Sequence, residues 1–456
     1  MYAEEEIKKI LETVIKHGGD YADLYLSRNY TGTIAAEDRR IEHFYRGFDE
    51  GAGIRVMKGD FSAYFYTNDL SYGALTALAE RAGESVGGEK DITSFAWQEK
   101  ADQQKADSEV YDLEKIGGLI RQINAAAWEI SEKISQVSLG YGDAEKEVLI
   151  ASTTGKLITN QTKRKRFFVK IIAQKDGEPQ TAMETLGDTG VVFSWDEATL
   201  MTKVESAAKR ALKQLTAENA PAGTMPVVLS SEAGGTMVHE ACGHGLEGDA
   251  VSKGLSLYKD KIGEKVAAEG VTVIDDATLP DHYGSYRYDD EGNPGRKNIL
   301  IENGVLKQYL FDIRSARKMG TASTGNGRRE SYQYAPQVRM SNTLIAPGKD
   351  DPATVIADLK NGLFVVKMGG GQVNTTNGDF VFEVSEAYRI ENGTLTAPVK
   401  NASLIGNGPK TLSAVFAVGN DLGFAIGTCG KGGQSVPVGD AQPTLGISEL
   451  IVGGKG

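Results

Sequence analysis

Two histidines five residues apart constrain this chain more than any other feature. They stand in the run His239-Glu240-Ala241-Cys242-Gly243-His244, in a sequence with five histidines among 456 residues. Two imidazoles and a carboxylate so close together are the parts of a hydrolytic metal site. Neutral imidazole is a standard zinc ligand, and a carboxylate beside a ligand can take a proton from water. The spacing resists ordinary helical geometry, because positions i and i+4 lie about 40° apart around an α-helix whereas i and i+5 lie about 140° apart. For both rings to reach one ion, the backbone has to widen into a π-bulge or end in a turn, and Gly243 is where either can happen.

A third ligand has two cysteine candidates. Cys429 sits in Gly427-Thr428-Cys429-Gly430-Lys431-Gly432-Gly433-Gln434, whose small residues let backbone approach a site closely. Cys242 shares a helix face with His239 better than His244 does, but a free cysteine is most often a small buried apolar side chain, and its context favours that reading. Beyond His244, the acids Glu247 and Asp249 could accept hydrogen bonds from the ligand imidazoles or be ordinary surface carboxylates.

The run extended from His239 to Gly245-Leu246-Glu247-Gly248-Asp249, with Gly427 to Lys431 and Gln434-Ser435-Val436-Pro437-Val438-Gly439, resembles the TldD branch of the TldD/PmbA peptidases, a family also labelled modulators of DNA gyrase. Asp20-Tyr21-Ala22-Asp23-Leu24-Tyr25, the block Gly325 to Ser331 and Gly378-Asp379-Phe380-Val381-Phe382 are similar to its other blocks, so the resemblance spans nearly the whole chain. It implies a metallopeptidase, which composition places in the cytoplasm, with one zinc ion held by His239, His244 and Cys429, and with Glu240 as general base. It also implies a two-chain assembly, either a homodimer or a heterodimer with a PmbA- or TldE-like chain, around an enclosed cleft. Members mature a peptide antibiotic and turn over an antitoxin, which points to peptides or unfolded segments as substrates. The PmbA branch lacks the metal motif, and its presence here places the chain on the catalytic side.

Composition fits that picture. A formal charge of -12 argues against a chain built to grip phosphate backbones and against a literal reading of the gyrase label. The cationic run Lys163-Arg164-Lys165-Arg166 reads as a solvated strand edge. The start Met1-Tyr2-Ala3-Glu4-Glu5-Glu6 lacks the order of a signal peptide, no apolar stretch approaches the ~20 residues of a membrane span, and two cysteines make no disulfide framework.

The expected fold is α+β. An amino-terminal α/β region over 1–220, with helices on a mixed sheet and a break near 88–107, precedes a carboxy-terminal barrel or sandwich-like domain over 221–456 that carries the metal helix. Apolar spacing marks helices at Ile7 to Ile15, Leu75 to Ala82, Leu113 to Ile130 and Glu197 to Leu215. Phe61 to Thr67 and Gly53 to Val56 form a hairpin about Lys58-Gly59-Asp60, and Lys146 to Ala151 and Phe167 to Ala173 read as strands. Ala220-Pro221-Ala222-Gly223 marks the boundary, and Pro226 to Leu229 leads directly into the metal helix, capped by Ser230 or Ser231. Turns are expected at Glu302-Asn303-Gly304, Glu391-Asn392-Gly393 and Gly406-Asn407-Gly408.

Weaker signals concern substrate. Arg328 and Arg329 could meet a substrate carboxylate or peptide carbonyl, and Gly370 and Gly371 could admit an extended peptide by strand addition. His282 reads as an exposed loop histidine. Two further functional classes compete with the peptidase: a non-catalytic regulatory or binding subunit of such a complex with a closed structural zinc site, and a thiol enzyme using Cys429 with one of the histidines.

Overall fold

A computed structural model of the chain describes residues 2–88, 94–102, 111–190, 193–374 and 376–454. The amino-terminal part is a seven-stranded mixed sheet of β1 (Tyr21–Glu37), β2 (Arg40–Lys58), β3 (Phe61–Thr67), β4 (Glu99–Asp102), β5 (Ile134–Ser152), β6 (Lys156–Lys175) and β7 (Glu178–Asp188). The order is β3-β2-β1-β5-β6-β4, and β7 also pairs with β6. All pairings are antiparallel except β4 with β6. The expected break near 88–107 lies partly outside the described residues.

Four helices cover the sheet: α1 (Glu4–Ile15), α2 (Tyr72–Glu84), α3 (Leu113–Glu129) and α4 (Glu197–Gln214). Ser71, Asp112 and Asp196 cap the starts of α2, α3 and α4 by accepting first-turn N–H groups. Gly18, at φ +91°, turns the chain after α1 in a conformation that favours glycine. Ile7, Ile10, Leu11 and Val14 of α1 pack with Leu24, Ile54 and Leu75, while Ile116, Ile120 and Ile123 of α3 pack with Phe167, Val169 and Val204. Leu11 is fully buried, which stabilises the fold by about 1.5–3 kcal/mol for one such side chain.

The carboxy-terminal part contains a closed five-stranded barrel. Asn361–Val373 pairs with Gly223–Leu229, which pairs with Leu445–Gly453, then Ser403–Asn407 and Asp379–Glu391, and this last strand returns to Asn361–Val373. Beside it lies a six-stranded sheet whose order ends with Asn342–Ile345, Gln434–Gln442 and the edge strand Gly423–Lys431. The barrel core includes Val227, Leu229, Phe380, Phe382 and Leu404, and Val238, Ala241 and Cys242 of the histidine segment join it. That shared core fixes the histidine segment to a rigid base. No helix of the described residues is long and apolar enough to cross a membrane.

Several expectations change in detail. The strands foreseen at 146–151 and 167–173 are parts of β5 and β6, which run through internal glycines and charges because both strands are paired on two sides. The Lys163 to Arg166 run is not a solvated edge: Lys165 and Arg166 pair with β7, Lys163 and Arg164 fall between the β4 and β7 pairings, and of the four only Arg166 is exposed. Lys163 and Lys165 are buried, the former 3.8 Å from the Tyr111 ring centroid and the latter paired with Asp188. Gly304 and Gly393 close two-residue hairpins with Asn303 and Asn392 at positive φ, but Gly406-Asn407 ends a strand and Gly408 opens a short helix. The strand before the histidines does not run directly into their helix either: a 3-10 turn at Ser231–Ala233 and left-handed Gly234 and Gly235 intervene.

Candidate metal centre

The approach to the site is built on close packing. Ser230 accepts the Glu232 N–H at 2.9 Å, and Gly235, at φ +73°, crosses the strand Gln434–Gln442 so tightly that a Cβ would lie 2.4 Å from the Ala441 nitrogen. One α-turn, Thr236–Val238, leads into a π-turn at His239–Gly243, followed by a 3-10 turn at His244–Leu246. The His244 N–H bonds to the His239 carbonyl, five residues back. This widening brings the i, i+5 rings together, with centroids 5.0 Å apart and planes at 86°. Gly243 permits it, because a Cβ there would lie 2.1 Å from Met340 Sδ.

Each imidazole is oriented by a carboxylate. His239 Nδ1 is 2.8 Å from Asp440 Oδ1, and His244 Nδ1 is 2.9 Å from Glu247 Oε2. With Nδ1–H donated outward, both Nε2 lone pairs turn inward toward Cys429, whose Sγ is 3.4 Å from His244 Nε2. One ligand atom from each of His239, His244 and Cys429 lies within 4.8 Å of the others. Two imidazole nitrogens and a thiolate suit a borderline-soft ion such as zinc, so the residues present fit the metal that the sequence suggests.

The electrostatics favour a thiolate at Cys429, while the same charges favour a proton on the imidazoles that an ion would have to displace. Burial alone would raise the Cys429 thiol, but hydrogen bonds and charge from His239 and His244 bring it down to about 5. Burial also opposes a charge on His244, and Glu247 outweighs it, moving the ring up to about 9. Glu247 is held down to about 2 against its burial by Lys431 and His244. Glu240 is half-buried, and its carboxyl is raised by that burial, with the two histidines pulling the other way.

The other candidates fall in different places. Cys242 donates to the Val238 carbonyl at 3.3 Å and is pushed up to about 12 by burial, outside the ligand cluster. Asp249 meets Lys431 Nζ at 2.7 Å, and the same ammonium is 2.9 Å from Glu247. Arg328 is buried and donates to the carbonyls of Met340 and Pro437, both at 2.6 Å. Arg329 is buried against Tyr25 and donates to the Asp290 carbonyl at 2.9 Å. Gly370 is exposed in a bulged stretch of its strand, while Gly371 lies against Phe382, whose ring a Cβ would strike at 1.8 Å. His282, expected to be exposed, is a half-buried loop residue whose ring centroid lies 4.3 Å from that of Phe424 with the planes tilted at 58°.

Asp440 escaped the reading of the sequence. Its signal lies in the hairpin register: Cys429 opposes Val436, so alternation puts 436, 438 and 440 on the cysteine's face.

The chain matches the PmbA/TldA metallopeptidase in three consecutive parts: domain 1 over residues 22–86, the central domain over 105–215 and the C-terminal domain over 222–454. A metalloprotease TldD homolog of Buchnera aphidicola is 34% identical, the match covering 99% of this chain and 96% of that one. A zinc metalloprotease TldD homolog of Saccharolobus solfataricus is 28% identical over 98% and 99% of the two chains. In fold, the chain is similar to a protein described as a modulator of DNA gyrase from Thermotoga maritima, with TM-score 0.79, 21% identity and coverage of 99% and 100%. TldE of Thermococcus kodakarensis gives TM-score 0.77 and 18% identity over 98% and 99%. On sequence over its full length, the chain belongs to the PmbA/TldD family of metallopeptidases.

Proposed function

We propose that this metallopeptidase binds one zinc ion through His239, His244 and Cys429 and hydrolyses peptide bonds in peptides or unfolded segments, with Glu240 as general base. The observation that carries the reading is the convergence of the three ligand atoms within 4.8 Å, with the Glu240 carboxyl near enough to feel the charge of all three groups. Zinc held there supplies Lewis acidity, polarising a carbonyl and acidifying water.

The chain's own groups do the rest. Glu240 takes the proton of the attacking water and passes it to the departing amine, a task served by a carboxyl whose pKa burial has raised. Asp440 and Glu247 fix the direction of the imidazoles, and Lys431 keeps Glu247 ionised. A thiolate ligand would donate more electron density than a carboxylate and make the ion a milder Lewis acid, and Cys429 itself is open to oxidation when no metal holds it.

The solved TldE neighbour supports a partner of that kind, because a chain with the same fold is a natural mate in a two-chain assembly. A direct test compares an unstructured peptide with a folded protein as substrates, with and without chelator, for the chain alone and mixed with a TldE-type chain. Chelator-sensitive cleavage of the peptide alone is expected. Cleavage that survives complete metal removal, or equal cutting of the folded protein, would contradict the reading.

A further inference from the structure

Between the amino-terminal sheet and the Cys429 hairpin lies a cavity of about 370 Å³. Arg164 lines it from β6 and Arg328 from the short strand Gly327–Arg328. Among the described residues both guanidinium groups hydrogen-bond only to carbonyls: Arg164 donates from Nε to Tyr283 at 2.9 Å and from Nη2 to Ser285 at 2.8 Å, and Arg328 uses Nη1 and Nη2 on Met340 and Pro437 and lies 5.1 Å from the Tyr286 ring centroid. Among the described residues neither has a carboxylate in ion-pair contact. A guanidinium has five N–H donors, so Arg164 Nη1 and Arg328 Nε keep unspent donors.

Of the other charges on the walls, Arg166 is exposed and the rest have partners. Lys146 lies 3.5 Å from Asp290, and Arg329 3.7 Å from Asp23. Asp290 accepts from the Tyr25 hydroxyl and the Arg329 N–H, Glu330 accepts the Ser435 N–H, and Asp289 accepts the N–H groups of Glu291, Asn293 and Gly327. Asp143 faces the Arg46 charge. Burial, with the Arg328 charge next, pushes Arg164 down to about 10, and Tyr283, Asp290 and Tyr286 offset only part of that.

We propose that this cavity is a binding site for an oxyanion, a carboxylate above all, held between Arg164 and Arg328. Planar guanidinium forks match carboxylate geometry, and the cavity has room for the group and several atoms behind it. Thr428 and Pro437 oppose each other across the hairpin on the face away from the Cys429 side chain, so the anion sits behind the metal-facing thiol. Arg328 grips the Pro437 carbonyl, so the bound anion steadies the hairpin that presents Cys429. The site stands on the cavity's charge balance and is independent of the reaction proposed above.

Two sources carry this chemistry, the terminal carboxylate of a peptide and a free small anion. The test is calorimetric titration of the full chain, at its measured metal content and constant ionic strength, with sulfate, N-acetylalanine and N-acetylalaninamide. We expect one anion site weakened at least about tenfold by Arg164→Gln, as loss of charge-assisted hydrogen bonds requires, and partly restored by Arg164→Lys. N-acetylalanine competing with sulfate while the amide does not identifies the peptide terminus; sulfate binding without such competition identifies a free anion. Binding of neither anion, or binding unchanged in Arg164→Gln, overturns the proposal. These readouts measure binding alone, so failure of the peptidase reading leaves them intact. Unchanged metal content and melting temperature establish that Arg164→Gln is folded; if it is not, Arg164→Lys, which keeps the charge and loses the fork, carries the comparison.

Discussion

The His244 N–H reaches back five residues to the His239 carbonyl, and this one wide turn sets two imidazole rings 5.0 Å apart at nearly a right angle. A regular helix would send the same side chains about 140° apart. The π-turn is therefore the backbone's contribution to the site, and the glycine that closes it should be irreplaceable.

Gly243→Ala places a Cβ 2.1 Å from the sulfur of the fully buried Met340. Overpacking of this kind costs about 1–3 kcal/mol. The variant should unfold at lower urea concentration and hold metal less well, and Met340→Ala combined with it should recover part of the metal binding. Unchanged stability in the single variant would mean that the turn is not tightly packed.

Asp440→Asn leaves an oxygen near His239 but removes the negative charge that orients and polarises the ring. Metal affinity, measured by chelator competition, should fall roughly 10–100-fold, as it does when such outer partners are altered. Affinity equal to wild type would assign Asp440 a purely structural place.

The two cysteines should separate cleanly. Cys429→Ser removes the thiolate from the ligand cluster and should lower metal occupancy, whereas Cys242→Ser replaces a thiol that only bonds the Val238 carbonyl and should leave occupancy intact. Metal analysis of the purified variants decides it; the reverse pattern would transfer the ligand role to Cys242.

What could be read from the sequence divides by distance along the chain. A departure from the α-helix, as a π-bulge or a terminating turn, follows from a conflict between six adjacent residues and a 3.6-residue period, so it was legible, and the structure takes the first form. So were the four long helices, whose apolar spacing and caps are local. Asp440 was not, because it reaches His239 across 201 positions through a hairpin register that no local pattern announces. The carboxy-terminal domain was legible as a barrel or sandwich-like class from its many short strands, but not its closure by pairing Asn361–Val373 with both Gly223–Leu229 and Asp379–Glu391. Charge misled at Lys163 to Lys165, where cationic residues of an interior strand find Asp188, an aromatic ring and a cavity, while Arg166 alone stays exposed.

The central claim is that Glu240 moves the proton in a metal-dependent hydrolysis, and the most direct test measures metal content and peptide cleavage together in wild type and Glu240→Gln. The account predicts equal metal in both proteins and cleavage reduced by about 10²–10⁴-fold in the variant. A metal-loaded Glu240→Gln that cleaves at the wild-type rate would contradict it.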